Sequence, residues 1–255
     1  MRVAVTGRTP PPGSGSANLS LLLGDGDVTG ARRAALSLVG ATPERAVFME
    51  QVHGADVAVV TDADAGRGAR DHTSAIPRVD ALVTQARDLA LVVLVADCVP
   101  VVLIDPGRAV GVVHAGRGGV DAGVVAQALA RLTGDPSRVV ALVGPAVGGC
   151  CYEVPVEMVD RTAAAWPGAR ATTSWGTPAL DLPAAVTAQL RHGGVARVER
   201  IGACTRCDPQ TYFSHRASSA GLAPAGRQAA IVLRAGPSTP APATAEGFLQ
   251  SRASS

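Results

Sequence analysis

The sequence predicts a mixed α/β fold within one large domain, on three observations. Nearly continuous apolar runs of strand length alternate with segments of helical period. Gly and Pro, 29 and 18 in number, cluster at the boundaries between them. The 255 residues suffice to bury a sizeable core without dividing it. The alternation leaves the order of strands open.

The first strand runs from Arg2 to Thr6 and leads into a loose Pro-rich stretch, Pro10 to Ser16. Val57 to Thr61 and Ala81 to Thr84 are short β-branched runs, with a surface loop from Ala63 to Ile76 between them. Leu89 to Val95 and Val99 to Ile104 are almost wholly apolar, the pattern of strands buried on both faces. Ala109 to His114 is a further strand and runs into AGRGG. Asp121 to Leu132 has apolar residues at three- and four-residue spacing and is closed by Gly134 and Pro136, which predicts a helix. Val139 to Val143 reads as a strand, Val156 to Ala165 and Pro183 to Arg191 as helices, and Val198 to Ile201 and Gln228 to Leu233 as late strands. Residues 1–235 thus form the domain. From Gly236 onward the chain is rich in Pro, Ala, Ser and Thr, too polar to offset its ordering entropy, and residues 236–255 are expected to be disordered.

Composition narrows the function. Aromatic residues make up 3% of the chain, so Val, Ala and Leu must fill the core. The net charge is only +2, and every basic side chain is Arg. No basic stripe with interleaved aromatics is present, so no nucleic-acid partner is expected. The longest apolar run, Leu89 to Ile104, is interrupted by Asp97 and is too short for a bilayer, so no membrane is expected either. The N-terminal residues lack the apolar region of a secretory signal. Five cysteines, an odd number, argue against a disulfide scaffold and for a reducing compartment, the cytoplasm. A monomer is the default expectation, since nothing in the sequence sets the oligomeric state.

Three segments end an apolar run with a metal-capable side chain and a turn: QVHG with His53, ADCVP with Cys98 and VHAGRGG with His114. Imidazole and thiolate suit Zn²⁺, and three protein ligands leave a fourth position for water or substrate. The bland alternative makes them two hydrogen-bonded core histidines and a small buried thiol. Asp97 is a charge inside the most apolar segment and needs a partner. It either orients an imidazole or caps a turn. Cys204 and Cys207 form a CxxC, with no second CxxC to complete a zinc site. Packing is the simpler reading for them and for the adjacent Cys150 and Cys151. His72 and His192 lie in polar loops and read as solvated, whereas His215 has Arg216 beside it and can line a site.

As a set, QVHGADV, DALVT, ADCVPVVLID, VHAGRGG, VGPAVGGCCYEV and CTRCDPQTYFSHR resemble the ordered motifs of the YfiH-like family. Its members have been called laccase-domain or multicopper polyphenol oxidases, purine nucleoside phosphorylases and peptidoglycan editing factors. The resemblance runs from about Arg2 to Leu233. It implies a layered α/β/β/α sandwich with mixed sheets, and a metal, zinc, held by His53, Cys98 and His114 as the catalytic group. It implies phosphorolysis of adenosine, inosine, guanosine and methylthioadenosine, and deamination of adenosine. Asn18 in ANLS and Arg216 in FSHR match family positions near the pocket. Two positions depart from the family pattern: HAG is followed by Arg117 with no Trp, and His215 stands where Tyr is usual.

Phosphorolysis needs an anion site beside the ribose. AGRGGVDAG offers a Gly-rich turn, and Arg117 and Arg216 offer charge-assisted bonds. The glycines are equally explained by a tight turn. His114 is followed by Ala-Gly and no Pro precedes Cys204, so the H-x-E and PCxxC pattern of zinc nucleoside deaminases is missing. Five histidines without a His-x-His pair exclude a multicopper centre, although copper at the triad remains possible. Two further functions stay open. One is a hydrolase that removes misplaced serine from UDP-muramoyl cell-wall precursors, with Cys98 as nucleophile. The other is a non-catalytic metal or nucleotide binder.

Overall fold

A computed structural model describes residues 1–241, apart from residues 12, 24, 25 and 238. In chain order its first half contains β1 (Arg2–Val5), α1 (Val28–Ser37), β2 (Ala46–Val47), β3 (Val57–Val59), β4 (Ala81–Thr84), β5 (Ala90–Val95), β6 (Val99–Asp105) and β7 (Ala109–Ala115). The second half contains α2 (Arg117–Ala122), α3 (Val124–Leu132), β8 (Val140–Val143), α4 (Val156–Ala165), β9 (Arg170–Thr172), β10 (Pro178–Leu180), α5 (Leu182–His192), β11 (Arg197–Arg200), α6 (His215–Ser219) and β12 (Gln228–Leu233).

Two mixed sheets form the body. One has the order β1-β12-β5-β2 and the other β11-β8-β6-β7-β4-β3, while β9 and β10 make a small separate hairpin. The long apolar strands lie in the middle of each sheet because both of their faces are covered. Leu91, Val93 and Val95 of β5 point at Val102, Ile104, Val110 and Val112 of the second sheet, forming an apolar layer between the sheets. The alternate residues Ala90 and Val92 pack with Ile231 and Leu233 against Ala31, Ala35 and Leu36 of α1. On the far side, Val99, Val101, Leu103 and Val113 meet Val125, Ala128 and Leu129 of α3 and Ala185, Val186 and Leu190 of α5. Helix, sheet, sheet and helix thus stack as four layers. Each fully buried Leu or Val contributes about 1.5–3 kcal/mol, so this alternation of side chains specifies the sandwich.

The chain changes sheets at two places that matter later. Residues 96–98 join β5 in the first sheet to β6 in the second, and residues 48–56 lead from β2 in the first to β3 in the second.

The short β2, β9, β10 and α6 had no counterpart in the sequence expectation, and three further stretches differ from it. Helix α1 was not foreseen. Its Asp27 N-cap accepts from Gly30 N at 2.7 Å, but a Gly in the first turn and paired arginines blur its apolar face. The buried Arg32 in it donates to the carbonyls of Leu19, Gly68 and Ala69 and lies over Phe48. The single helix expected over Asp121–Leu132 is two helices, α2 and α3, because Gly123 takes the left-handed conformation at φ 81° and turns the chain. The stretch from Ala63 to Ile76 is not featureless but holds two short 3₁₀ turns, Asp62–Asp64 and His72–Ser74.

Gly236 N donates to Asp88 Oδ1 at 2.7 Å and the Thr239 hydroxyl also bonds Asp88. Beyond residue 241 the expected disordered tail lies outside the described residues.

Candidate metal centre and its cavity

His53, Cys98 and His114 arrive at one point from the two crossings and the end of β7. Their ligand atoms all lie within 4.8 Å of one another. Cys98 Sγ is 3.6 Å from His53 Nε2, and the two imidazole rings meet edge to face with centroids 4.7 Å apart. His114 is buried, Cys98 half-buried and His53 exposed at the rim, so the group opens outward.

Asp80, in the turn before β4, organises the site. Its carboxylate is fully buried and accepts from His114 Nδ1 at 2.7 Å, which leaves Nε2 of that ring free for a metal. The same carboxylate accepts from the backbone N–H groups of His53 at 2.9 Å and Gly54 at 2.6 Å. One side chain therefore fixes the tautomer of His114 and the loop that carries His53. Burial works to raise the Asp80 pKa, but the bonds from His114 and the two backbone N–H groups prevail, and the carboxyl is held below its usual range.

His53 and Asp97 both adopt left-handed backbone, at φ 61° and 83°. Such strain costs about 1–3 kcal/mol per residue and persists only where surroundings impose it. Asp80 imposes it on His53. Asp97 is pinned by Thr205 Oγ1, which donates at 2.6 Å, and by the backbone N–H of Arg216 at 2.7 Å. Asp97 therefore does not orient an imidazole, one of the roles the sequence left open. It bridges the second crossing to the loop between β11 and α6 and to the first turn of α6. The imidazole-orienting carboxylate is Asp80, whose signal in the sequence was a lone acid at the head of the apolar run in DALVT.

Gly116, which follows β7, leaves the room this cluster needs. A Cβ there would stand 2.7 Å from His53 Cδ2 and 3.2 Å from Cys98 Sγ.

Burial pushes the Cys98 thiol up, but hydrogen bonds to His114 and His53 and the charge of those rings outweigh it and bring its pKa down to about 6. Burial likewise lowers His114, yet its bonds to Asp80 and Cys98 raise it to about 9. The site thus favours a thiolate even before a cation arrives.

A cavity of about 760 Å³ opens over the triad. Such a volume is typical of small-molecule sites. Four arginines, Arg32, Arg117, Arg216 and Arg227, line it against a single carboxylate, Asp97, together with His72 and His215. The Arg216 guanidinium lies 4.5 Å above the Tyr152 ring, another wall residue that the sequence did not single out beyond its motif. Arg117 is in part committed, since Nη1 donates to Asp121 Oδ2 at 3.0 Å. His72, read as solvated, is a wall residue. Asn18 is buried behind the wall. Its Oδ1 accepts from Ser20 N at 3.1 Å and Arg227 N at 2.9 Å, and its amide donates to the carbonyls of Ser20 and Leu23. It positions the segment carrying Ser20, Leu21 and Leu22, and Arg227, all of which face the cavity.

Residues 5–235 match the family described as multi-copper polyphenol oxidoreductase laccase. A protein named purine nucleoside phosphorylase from Streptomyces coelicolor is 52% identical over 205 residues, covering 78% of this chain and 81% of that one. A protein of the same name from Mycobacterium tuberculosis is 42% identical over 207 residues, covering 79% and 78%. The crystal structure of YlmD from Geobacillus stearothermophilus superposes with a TM-score of 0.79 at 34% identity, covering 92% of this chain and 91% of that one. A hypothetical protein YfiH from Bacillus licheniformis gives the same score at 30% identity, covering 91% and 92%. With the four-layer fold and the ordered motifs, these likenesses show that the chain belongs to the YfiH-like, multi-copper polyphenol oxidoreductase laccase family.

Proposed function

We propose that this protein is a zinc-dependent purine nucleoside phosphorylase acting on adenosine, inosine, guanosine and methylthioadenosine, with adenosine deamination as a second activity. The observation that carries this reading is the union of a His₂Cys donor set with a cavity walled by four arginines. The relatives' name supplies the substrate class.

The donor set fits zinc. Three nitrogen and sulfur ligands, an imidazole oriented by a carboxylate and an open side match a catalytic site. His53, Cys98 and His114 would hold the ion. When bound, it supplies Lewis acidity beside the bond being broken. The set has too few histidines for a coupled copper cluster.

In phosphorolysis a phosphate oxygen bonds to C1′ of the ribose as the bond from C1′ to the purine nitrogen breaks. The base departs with the electron pair and gains a proton. The arginines serve the anion: Arg216, kept in place by Tyr152 and by its backbone bond to Asp97, is the foremost, and Arg117 shares its charge with Asp121. The exposed His215 and the half-buried His72 line the cavity and offer hydrogen bonds to base or sugar. Wall residues Phe48 and Met49 give apolar surface for a purine. The unpaired thiols of all five cysteines suit the cytoplasm.

A second reading rests on the Cys98 thiolate beside two imidazoles, the pairing a cysteine hydrolase uses. In that reading the substrate is a serine-containing muramoyl precursor and metal is dispensable. Product analysis separates the two. Purified protein is given adenosine or inosine with and without phosphate, after chelation and after zinc restoration. Release of free base and ribose 1-phosphate that needs phosphate and zinc and disappears in Cys98→Ala supports the phosphorylase. No turnover of any purine nucleoside by zinc-loaded protein rejects it.

A further inference from the structure

We propose that Cys150, Cys151, Cys204 and Cys207 form a second metal site, a structural zinc site of four thiolates that clasps two loops behind the cavity. The four Sγ atoms lie within 4.8 Å of one another. Cys207 Sγ is 3.5 Å from Cys150 Sγ and 3.3 Å from Cys151 Sγ. Four sulfurs around one zinc at about 2.3 Å stand roughly 3.8 Å apart. The thiols are therefore spaced for a shared cation, whereas a disulfide needs about 2.05 Å.

Packing, the simpler reading of the sequence, does not account for the cluster. Cys207 is exposed and only Cys151 is buried, so the group adds little to the core. Two of the sulfurs have donors beside them, while burial and the neighbouring thiols hold Cys150 and Cys207 in the neutral form until a cation takes their protons' place. Gly148 N donates to Cys204 Sγ at 3.2 Å, and Arg206 Nη1 lies 3.7 Å from Cys151 Sγ. Four thiolates on Zn²⁺ leave an excess of negative charge, and a guanidinium with a backbone N–H group offsets it.

The ligands come in two pairs. Cys150 and Cys151 sit in the loop from β8 to α4, and Cys204 and Cys207 in the loop from β11 to α6. The loops already touch through a parallel bridge between Ala146 and Cys204, and Thr205 N donates to Ala146 O at 3.1 Å. The residue after Cys151 is Tyr152, which faces the cavity, and the residue after Cys204 is Thr205, which holds Asp97. A metal here braces the wall from behind.

The test uses full-length Cys98→Ala protein, in which the His53 and His114 site has lost its sulfur. Cobalt titration followed by absorption is expected to give the strong sulfur-to-cobalt charge-transfer band of tetrahedral thiolate coordination. About one zinc per chain should survive desalting, and zinc should shield the four remaining thiols from alkylation. Adding Cys207→Ser, at an exposed position that leaves the core intact, should abolish the cobalt band without loss of helical circular dichroism. No band and four freely alkylated thiols in folded Cys98→Ala protein overturn the site. So do disulfides among these cysteines in protein purified under reducing conditions and mapped by mass spectrometry.

Discussion

Replacing Asp80 with Asn tests the organisation of the triad at its root. The carboxylate serves two sets of donors. Oδ1 takes His114 Nδ1 and the His53 N–H, and Oδ2 takes the N–H groups of Gly54 and, at 3.3 Å, Val52. An amide of the same shape has one oxygen, so its NH₂ must face one set. If it faces Gly54 and Val52, two part-buried donors lose their acceptor. If it faces His114, the ring must move its proton to Nε2, where the metal would bind. A donor left without a partner costs about 1–3 kcal/mol when buried and less where water reaches it, so Asp80→Asn should destabilise the protein by roughly 1–3 kcal/mol. Loss of a partner that orients a ligand lowers metal affinity by about 10–100-fold. Urea unfolding of chelated protein measures the first quantity, and zinc competition against a chromophoric chelator measures the second. Asp97→Asn is the control, because it alters the bonds to Thr205 and the Arg216 N–H but touches no imidazole. Zinc affinity within about threefold of wild type in folded Asp80→Asn protein would refute the assignment.

Gly116→Ala drives a methyl into His53 and Cys98, an overpacking of about 1–3 kcal/mol. It should weaken zinc binding while leaving the helix content seen by circular dichroism unchanged, and unaltered zinc affinity would contradict the geometry. In chelated protein the Cys98 pKa of about 6 predicts that iodoacetamide alkylation stays fast at neutral pH and falls as pH drops through about 6; a rate still rising near the ordinary thiol value of about 8.5 counts against it. Because this folded value is depressed, the thiolate adds stability above the unfolded thiol's pKa and loses that contribution as pH falls toward about 6. Gly123→Ala forces a side chain into left-handed backbone at about 1–2 kcal/mol, which should lower Tm by roughly 2–8 °C in calorimetry. Arg216→Lys keeps the charge but loses the planar stack on Tyr152, so the KM for phosphate should rise by about tenfold or more in steady-state assays; an unchanged KM would remove Arg216 from the anion site.

The central strands were legible because burial on both faces writes an unbroken apolar run, as in β5, β6 and β7. The juxtaposed His53, Cys98 and His114 were legible as candidates because each interrupts or ends such a run. What stayed hidden depended on distance. Asp80 acts through a ring 34 residues away, and nothing local tells a buried acid that caps a loop from one that holds a histidine. Helix α1 is masked by Arg32, whose charge is satisfied by carbonyls of Leu19, Gly68 and Ala69 that the local pattern cannot supply. The break at Gly123 falls inside an otherwise helical period, where glycine reads as a weak residue until its φ is known. The cysteine pairs are 56 and 57 residues apart along the chain where they meet. Only the parallel pairing of β11 with β8 shows that their loops leave the sheet side by side.

The two sheet crossings have a consequence for how the protein comes into being. His53 and Cys98 each lie where the backbone leaves one sheet for the other, so neither sheet alone presents the triad. In the first sheet β12 is the strand that pairs with both β1 and β5. A chain emerging from the ribosome therefore cannot close that sheet until residue 233 has been made, though His53, Cys98 and His114 were synthesised long before. Contacts of such sequence separation form slowly. A chain cut short before β12 would carry His53, Cys98 and His114 without the complete frame that holds the two sheets, and the triad, together.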